Sequence, residues 1–130
     1  MKGKRVTRET GQLGEDIACK YLVRNGFKVL MRNYRCKVGE IDIVALKDNV
    51  IHIVEVKALS CTSLPSKETP HDKYRPEEQV HSAKLRKLAR LAEMYMMQHK
   101  ETLEYQIDAI GVFIDRNKRI ARCRLFEQVL

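Results

Sequence analysis

Apolar residues set the first element: Leu13, Ile17, Ala18, Tyr21 and Leu22 recur at helical spacing between Gly11 and Arg24, and Gly26 supplies a stop. The pattern then shortens. Phe27 to Met31 and Asn33 to Arg35 predict a short strand entering a basic turn, and Gly39 to Lys57 predicts two strands joined at Asp48-Asn49. Ala58 to Arg75 is polar, aperiodic and holds two of the three prolines, which predicts a long mobile loop over residues 58–75. Pro76, followed by Glu77 and Glu78, opens a helix reaching about His99, because proline suits a first turn and acids suit the positive end of the helix dipole. Two more strands are predicted near Tyr105 to Ile114 and Ile120 to Phe126. The order, one helix, three strands, one helix, two strands, predicts a single α/β domain over residues 11–130, a mixed β-sheet flanked by helices. Residues 1–10 precede it as a flexible basic arm.

Polar residues break the apolar runs at Asp42, Glu55 and Lys57. A hairpin with an even-length loop centred on Asp48 and Asn49 pairs 47 with 50 and 44 with 53, and sets Asp42 opposite Glu55. Opposed residues bring their Cβ atoms to roughly 5 Å on one face. Two carboxylates at that distance repel, more so when partly buried, and something positive must compensate. Lys57, two residues on and on the same face, is one candidate. A hard divalent cation with oxygen ligands, Mg²⁺ or Mn²⁺, is the other. A solvated sheet face with a routine Glu55–Lys57 pair is the bland alternative, but Ile51 and Ile53 share that face and favour a site.

Charge adds a class of partner. Lys and Arg number 25 against 17 Asp and Glu, a net charge of +8, and such an excess attracts polyanions, nucleic acid first among them. Arg32, Arg35 and Lys37 precede the acidic strand, and the arm carries Lys2, Lys4, Arg5 and Arg8; both groups suit phosphates without reading sequence. No strand is rich in aromatics for base stacking, so duplex or branched DNA fits better than a splayed single strand. The four cysteines are scattered without metal-ligand spacing and read as reduced thiols. No apolar run approaches the length of a membrane span and no secretory pattern opens the chain, which predicts a soluble, cytoplasmic protein with no membrane partner.

Further positions stand out. Glu15 lies just past the edge of the first helix's apolar stripe and either leans toward the sheet or serves as an ordinary first-turn acid on the helix dipole, whereas Asp16 points to solvent. Lys84 falls inside the stripe formed by Val80, Leu88, Leu91 and Tyr95, where a lysine must snorkel or meet an anion. Gln79 lies further round that helix, with a weak polar role. Asp108 interrupts an apolar strand and reads as structural. His52 alternates with valines on the side opposite Glu55 and reads as a core histidine.

Asp42, twelve intervening residues, then Glu55-Val56-Lys57 resembles the Asp…Glu-x-Lys signature of the PD-(D/E)XK nucleases. In order, GQLGEDIACKYL, NYRCKVGEIDIVA, IHIVEVK and YQIDAIGV resemble the YraN family of small nuclease-like proteins, which is similar to archaeal Holliday-junction resolvases. The resemblance implies a restriction-endonuclease-like core in which Asp42, Glu55 and the Val56 carbonyl hold Mg²⁺ or Mn²⁺. Lys57 positions or polarises the attacking water, Glu15 corresponds to a first-helix glutamate, and Lys84 to a lysine beside the scissile phosphate. It also implies a possible homodimer, as in resolvase-like relatives. Two stretches depart from the family pattern: Ala58-Leu59-Ser60 lacks an arginine soon after the motif lysine, and Gln106-Ile107 stands where Arg-Phe is common. The function this implies is a metal-dependent endonuclease on structured or branched DNA. The alternative is a non-catalytic nucleic-acid-binding module with a vestigial nuclease site.

Overall fold

The computed structural model describes residues 8–61, 64 and 82–130. Its elements are α1 (Arg8–Arg24), β1 (Lys28–Cys36), β2 (Gly39–Lys47), β3 (Val50–Ser60), α2 (Ser82–Gln98), β4 (Glu104–Asp115) and β5 (Ile120–Phe126). All seven expected elements are present. Arg5, Gln79 and Pro76 lie outside the described residues.

The five strands form one sheet in the order β1-β2-β3-β4-β5. Every neighbouring pair is antiparallel except β3 and β4, which run parallel over Val50↔Glu104 to Ser60↔Ile114. That one parallel pair requires a crossover, and α2 supplies it. The mixed sheet with a helix on each face is the expected α/β class.

Two boundaries differ from the sequence reading. Helix α1 begins at Arg8, so the last three residues of the expected arm are helical; buried Thr10, which receives a hydrogen bond from the Arg116 guanidinium, anchors that first turn. Strand β3 runs through Ser60, taking the first three residues of the expected loop, because β4 offers a continuous parallel partner there.

The hairpin turn follows the sequence closely. Asp48 and Asn49 both have positive φ, 51° and 64°, the requirement of a two-residue turn whose twist matches its strands. It fixes the register predicted as far as Ile43↔Val54, with Lys47↔Val50 and Val44↔Ile53, but Asp42 and Glu55 are not paired across the ladder as expected, because the strands part there.

Each face of the sheet carries its own core. On one face Tyr34, Ile41, Val44, Ile51, Ile53 and Ile107 pack with Leu88, Leu91, Ala92 and Tyr95 of α2. On the other, Ile43, Ala45, Val54, Ala58, Ile110, Val112 and Ile114 pack with Ala18 and Leu22 of α1. Leu88 and Leu91 are 1 % exposed, and each such side chain contributes roughly 1.5–3 kcal/mol on burial. Helix α1 lies unusually close to β3: a Cβ at Gly14 would stand 2.5 Å from the Ala58 Cβ. Only glycine permits that approach.

Candidate active site

Strand alternation fails at one place in β2. Ile41 belongs to the core under α2 and Ile43 to the core under α1, although residues two apart on a regular strand share a face. The break falls at Asp42. Opposite it in β1 stands Asn33, between the pairs Arg32↔Ile43 and Tyr34↔Ile41, with φ of 55°. Pairing of β2 with β3 ends at Ile43↔Val54, while β3 continues to Ser60. The two strands therefore part just beyond the hairpin, and unpaired backbone groups of β3 face the opening.

The Asp42 carboxylate fills that opening. Its Oδ2 accepts the Val56 N–H at 2.8 Å, replacing a ladder bond with a side-chain one. In an extended strand the N–H and C=O of one residue leave on the same side, so the Val56 carbonyl also points toward the opening. Burial first, and then the charge of Glu55, push the Asp42 carboxyl up from 3.8 to about 8. Glu15 adds to that push from the α1 side.

Glu55 is 9 % exposed and stands on the α2 side of the opening. Its Oε2 meets the Lys84 ammonium at 2.6 Å. This resolves the oddity of a lysine in an apolar stripe: Lys84 meets an anion. Burial alone would lower the Lys84 pKa, but the hydrogen bond and charge of Glu55, with the charges of Asp42 and Glu40, raise it above the ordinary lysine value. The ammonium is held charged. Asp42, Glu55 and Lys84 line an open cleft of about 700 Å³ together with Arg35, Gly39, Glu40 and Lys87.

Glu15 approaches from α1. Burial raises its pKa, the nearby Arg32 offsets this in part, and Glu40 and Asp16 raise it further. Its Oε1 is buried without a hydrogen-bond partner, at 3.8 Å from the Arg32 guanidinium. Asp16 instead takes a 2.8 Å bond from Arg32 at the surface. The close packing at Gly14 sets this distance, because Glu15 is the next residue along α1.

The other expected contacts divide. Lys57 follows Glu55 on the same face but lies outside the cleft wall, and it has no ion pair among the described residues. Arg32 is occupied by the α1 acids, and Arg35 by Glu40 at 3.0 Å. Arg8 begins α1, and Lys37 is exposed in the turn between β1 and β2. Sequence reasoning missed Lys87. Its Cε would lie 2.7 Å from a Cβ at Gly39, where φ is 157°, so its stem crosses the glycine at the cleft's edge. The adjacency of a turn glycine and a helix lysine is not visible without the fold.

A second group of potential ligands lies on the α1 face. His52, Asp108 and Glu127 bring ligand atoms within 4.8 Å of one another and could hold a metal ion. Its inner members are already engaged. Asp108, fully buried, bonds the His52 ring at 2.6 Å and accepts from Gln106 Nε2 and the Gln128 N–H at 2.9 Å each. The Phe27 ring meets His52 edge-on. Gln106, the departure from the family pattern, also bonds Glu127 at 3.2 Å. The network ties the C-terminal segment to β4, with the Val129 N–H donating to the Ile107 carbonyl. The structural roles expected of Asp108 and His52 agree with this arrangement.

With the geometry in hand, the chain can be placed among known proteins. The family model described as "Uncharacterised protein family UPF0102" matches residues 14–112. The chain belongs to the UPF0102 family. A UPF0102 protein of Helicobacter hepaticus is 35% identical over 123 residues, covering 95% of this chain and 96% of the relative. One from Campylobacter fetus is 40% identical over 108 residues, covering 83% and 85%. One from Campylobacter jejuni is 40% identical over 102 residues, covering 78% and 81%. The sequence resemblance to YraN proteins thus holds as family membership. Among solved structures, the Ca²⁺ complex of Pyrococcus furiosus SfsA is similar with a TM-score of 0.39 at 19% identity, over 96% of this chain and 66% of that one. This likeness is too slight to carry an argument. Among the described residues, no helix is long and apolar enough to cross a membrane.

Proposed function

We propose that this UPF0102 protein is a divalent-metal-dependent phosphodiesterase acting on structured or branched DNA. One observation carries the reading: Asp42 and Glu55 converge where β2 and β3 part, so near each other that the charge of Glu55 adds to burial in raising the Asp42 pKa. Such a site retains a proton for want of a stronger cation. Glu15 bears on the pair from α1, its charge adding to the push on Asp42, and one of its oxygens is buried without a hydrogen bond.

The donor set is all oxygen, which suits Mg²⁺ or Mn²⁺ over softer ions. Asp42, Glu55 and the Val56 carbonyl would hold the ion. When bound, the ion supplies a water of lowered pKa and positive charge at a phosphate oxygen.

The chain's own residues do the rest. The Val56 N–H fixes one Asp42 oxygen and so orients the carboxyl group toward Glu55. Lys84, kept protonated by Glu55, places a fixed positive charge in the cleft wall, where charge builds on the phosphate oxygens. Hydrolysis forms one P–O bond to a water oxygen and breaks another, and the departing oxygen takes up a proton. Lys57, on the Glu55 face and outside the cleft wall, would act on the water only by reaching in from the edge.

The test is cleavage of end-labelled four-way junction, flap, duplex and single-stranded DNA with Mg²⁺ or Mn²⁺, comparing wild type with Glu55→Gln. Metal-dependent cutting lost in the variant supports the reading. No cutting of any DNA, with no heat of Mn²⁺ binding by calorimetry, overturns it.

A further inference from the structure

Beside the acidic cleft lies a second hollow of about 590 Å³, lined by Lys37, Val38, Ala83, Arg86, Lys87 and Arg90. Its polar wall is wholly cationic. Ala83 and Lys87 line both hollows, so the two are continuous, with Lys87 at the boundary. Lys37, Arg86, Lys87 and Arg90 are exposed, and none is paired with a carboxylate among the described residues. Arg32 and Arg35, the cations before the acidic strand, are by contrast occupied by acids of this chain.

We infer that this basic hollow seats the phosphate backbone of duplex nucleic acid, with Arg86, Lys87 and Arg90 of α2 and Lys37 of the β1–β2 turn as its contacts. Unneutralised like charges this close repel one another, and a polyanion relieves that repulsion. Arg86 and Arg90, one turn apart at about 6 Å along the helix axis, present guanidinium groups in a row, a geometry suited to successive phosphates. Neither hollow has an aromatic side chain in its wall, so unpaired bases find nothing to stack on and contact falls to the backbone of paired strands. Gly39 is part of the device, because its missing side chain leaves room for the end of the Lys87 side chain between the two hollows. That the track leads a strand toward Asp42 and Glu55 rests on the proposed phosphodiesterase reading; the binding itself does not.

The test is fluorescence anisotropy of a short labelled duplex, and of one of its strands alone, titrated with protein in EDTA at several salt concentrations. The triple variant R86A/K87A/R90A, changed only at exposed positions, should bind the duplex at least tenfold more weakly. Its plot of log affinity against log salt should flatten by about 3, since each phosphate contact contributes roughly 0.9 to that slope. R86K/R90K, which keeps the charges, should retain the wild-type slope. A triple variant with wild-type affinity and slope, a wild type that does not bind duplex, or tighter binding of the single strand overturns the inference. Cleavage measured on the same proteins separates the two readings. Cutting by wild type with no effect of the triple variant on binding removes the basic seat and leaves the phosphodiesterase. Binding that depends on the three residues, with no cutting, does the reverse.

Discussion

The Val56 amide donates to the Asp42 carboxylate at the point where β2 and β3 separate, so a side chain completes a hydrogen bond that a neighbouring strand would otherwise make. The acid is structural and chemical at once. Asp42→Asn keeps an acceptor for Val56 and removes the charge.

That substitution gives a pH-dependent prediction. The folded Asp42 carboxyl is raised from 3.8 to about 8, so its ionisation opposes the folded state. The stability is complete below about pH 4 and is lost as pH rises toward and through 8. In EDTA, Asp42→Asn should therefore gain on wild type as pH increases across this window. Thermal melts at intervals from pH 4 to pH 9 check it, and a constant difference in Tm between the two proteins refutes it.

Lys84 stands 2.6 Å from Glu55 and would compete with a metal ion for that carboxylate. Lys84→Met removes that competitor. Mn²⁺ should bind the variant more tightly by calorimetry, while turnover on DNA falls by an order of magnitude or more for want of the fixed charge. Without metal the variant should lose about 1 kcal/mol, a modest figure because the lysine is half exposed. Weaker Mn²⁺ binding would instead make Lys84 part of the scaffold that holds the acids.

Gly14 sets the distance between α1 and β3. A methyl group there meets the Ala58 Cβ at 2.5 Å, so Gly14→Ala should destabilise by about 1–3 kcal/mol as the helix shifts outward. Adding Ala58→Gly should recover much of the loss, and denaturant titration of the two single variants and the double variant measures the coupling. Additive effects would place the strain elsewhere.

The His52–Asp108 pair offers a control for the metal reading. Both groups are buried and bonded to each other, so Asp108→Ala leaves the His52 ring and the Gln128 amide without their acceptor, a cost of about 3 kcal/mol or more. Mn²⁺ affinity of the folded variant should match wild type. Faster hydrogen exchange at the Val129 amide should report release of the C-terminal segment. A large fall in Mn²⁺ affinity would move the metal site to this face.

Much of this arrangement was legible in the chain. Asp48-Asn49 specified a turn of even length, and that alone carried the register that brings Asp42 near Glu55. Lys84, lying in an apolar stripe, had either to snorkel or to meet an anion, and the fold supplies Glu55. The parting of the strands at Asp42 was hidden, because nothing in GEIDIVA marks where alternation fails; the break depends on Asn33 in another strand and on the competition of two cores for Ile41 and Ile43. Lys87 was hidden for a similar reason, since its position depends on a turn glycine some fifty residues earlier. The reach of β3 through Ser60 follows from parallel pairing with β4, a partner more than forty residues further on.

The one crossover in the sheet also orders events in time. Strands β1 to β3 are joined by two tight turns, whereas α2 and the pairing of β3 with β4 close a much longer stretch of chain. Local hairpins close faster than distant pairings. Asp42 and Glu55 are thus brought together by local chain, whereas the ammonium of α2 joins them only through the crossover. The acids of the site belong to one short stretch of chain and its ammonium to another, so a change in the crossover alters the charge of the site and leaves its acids in place.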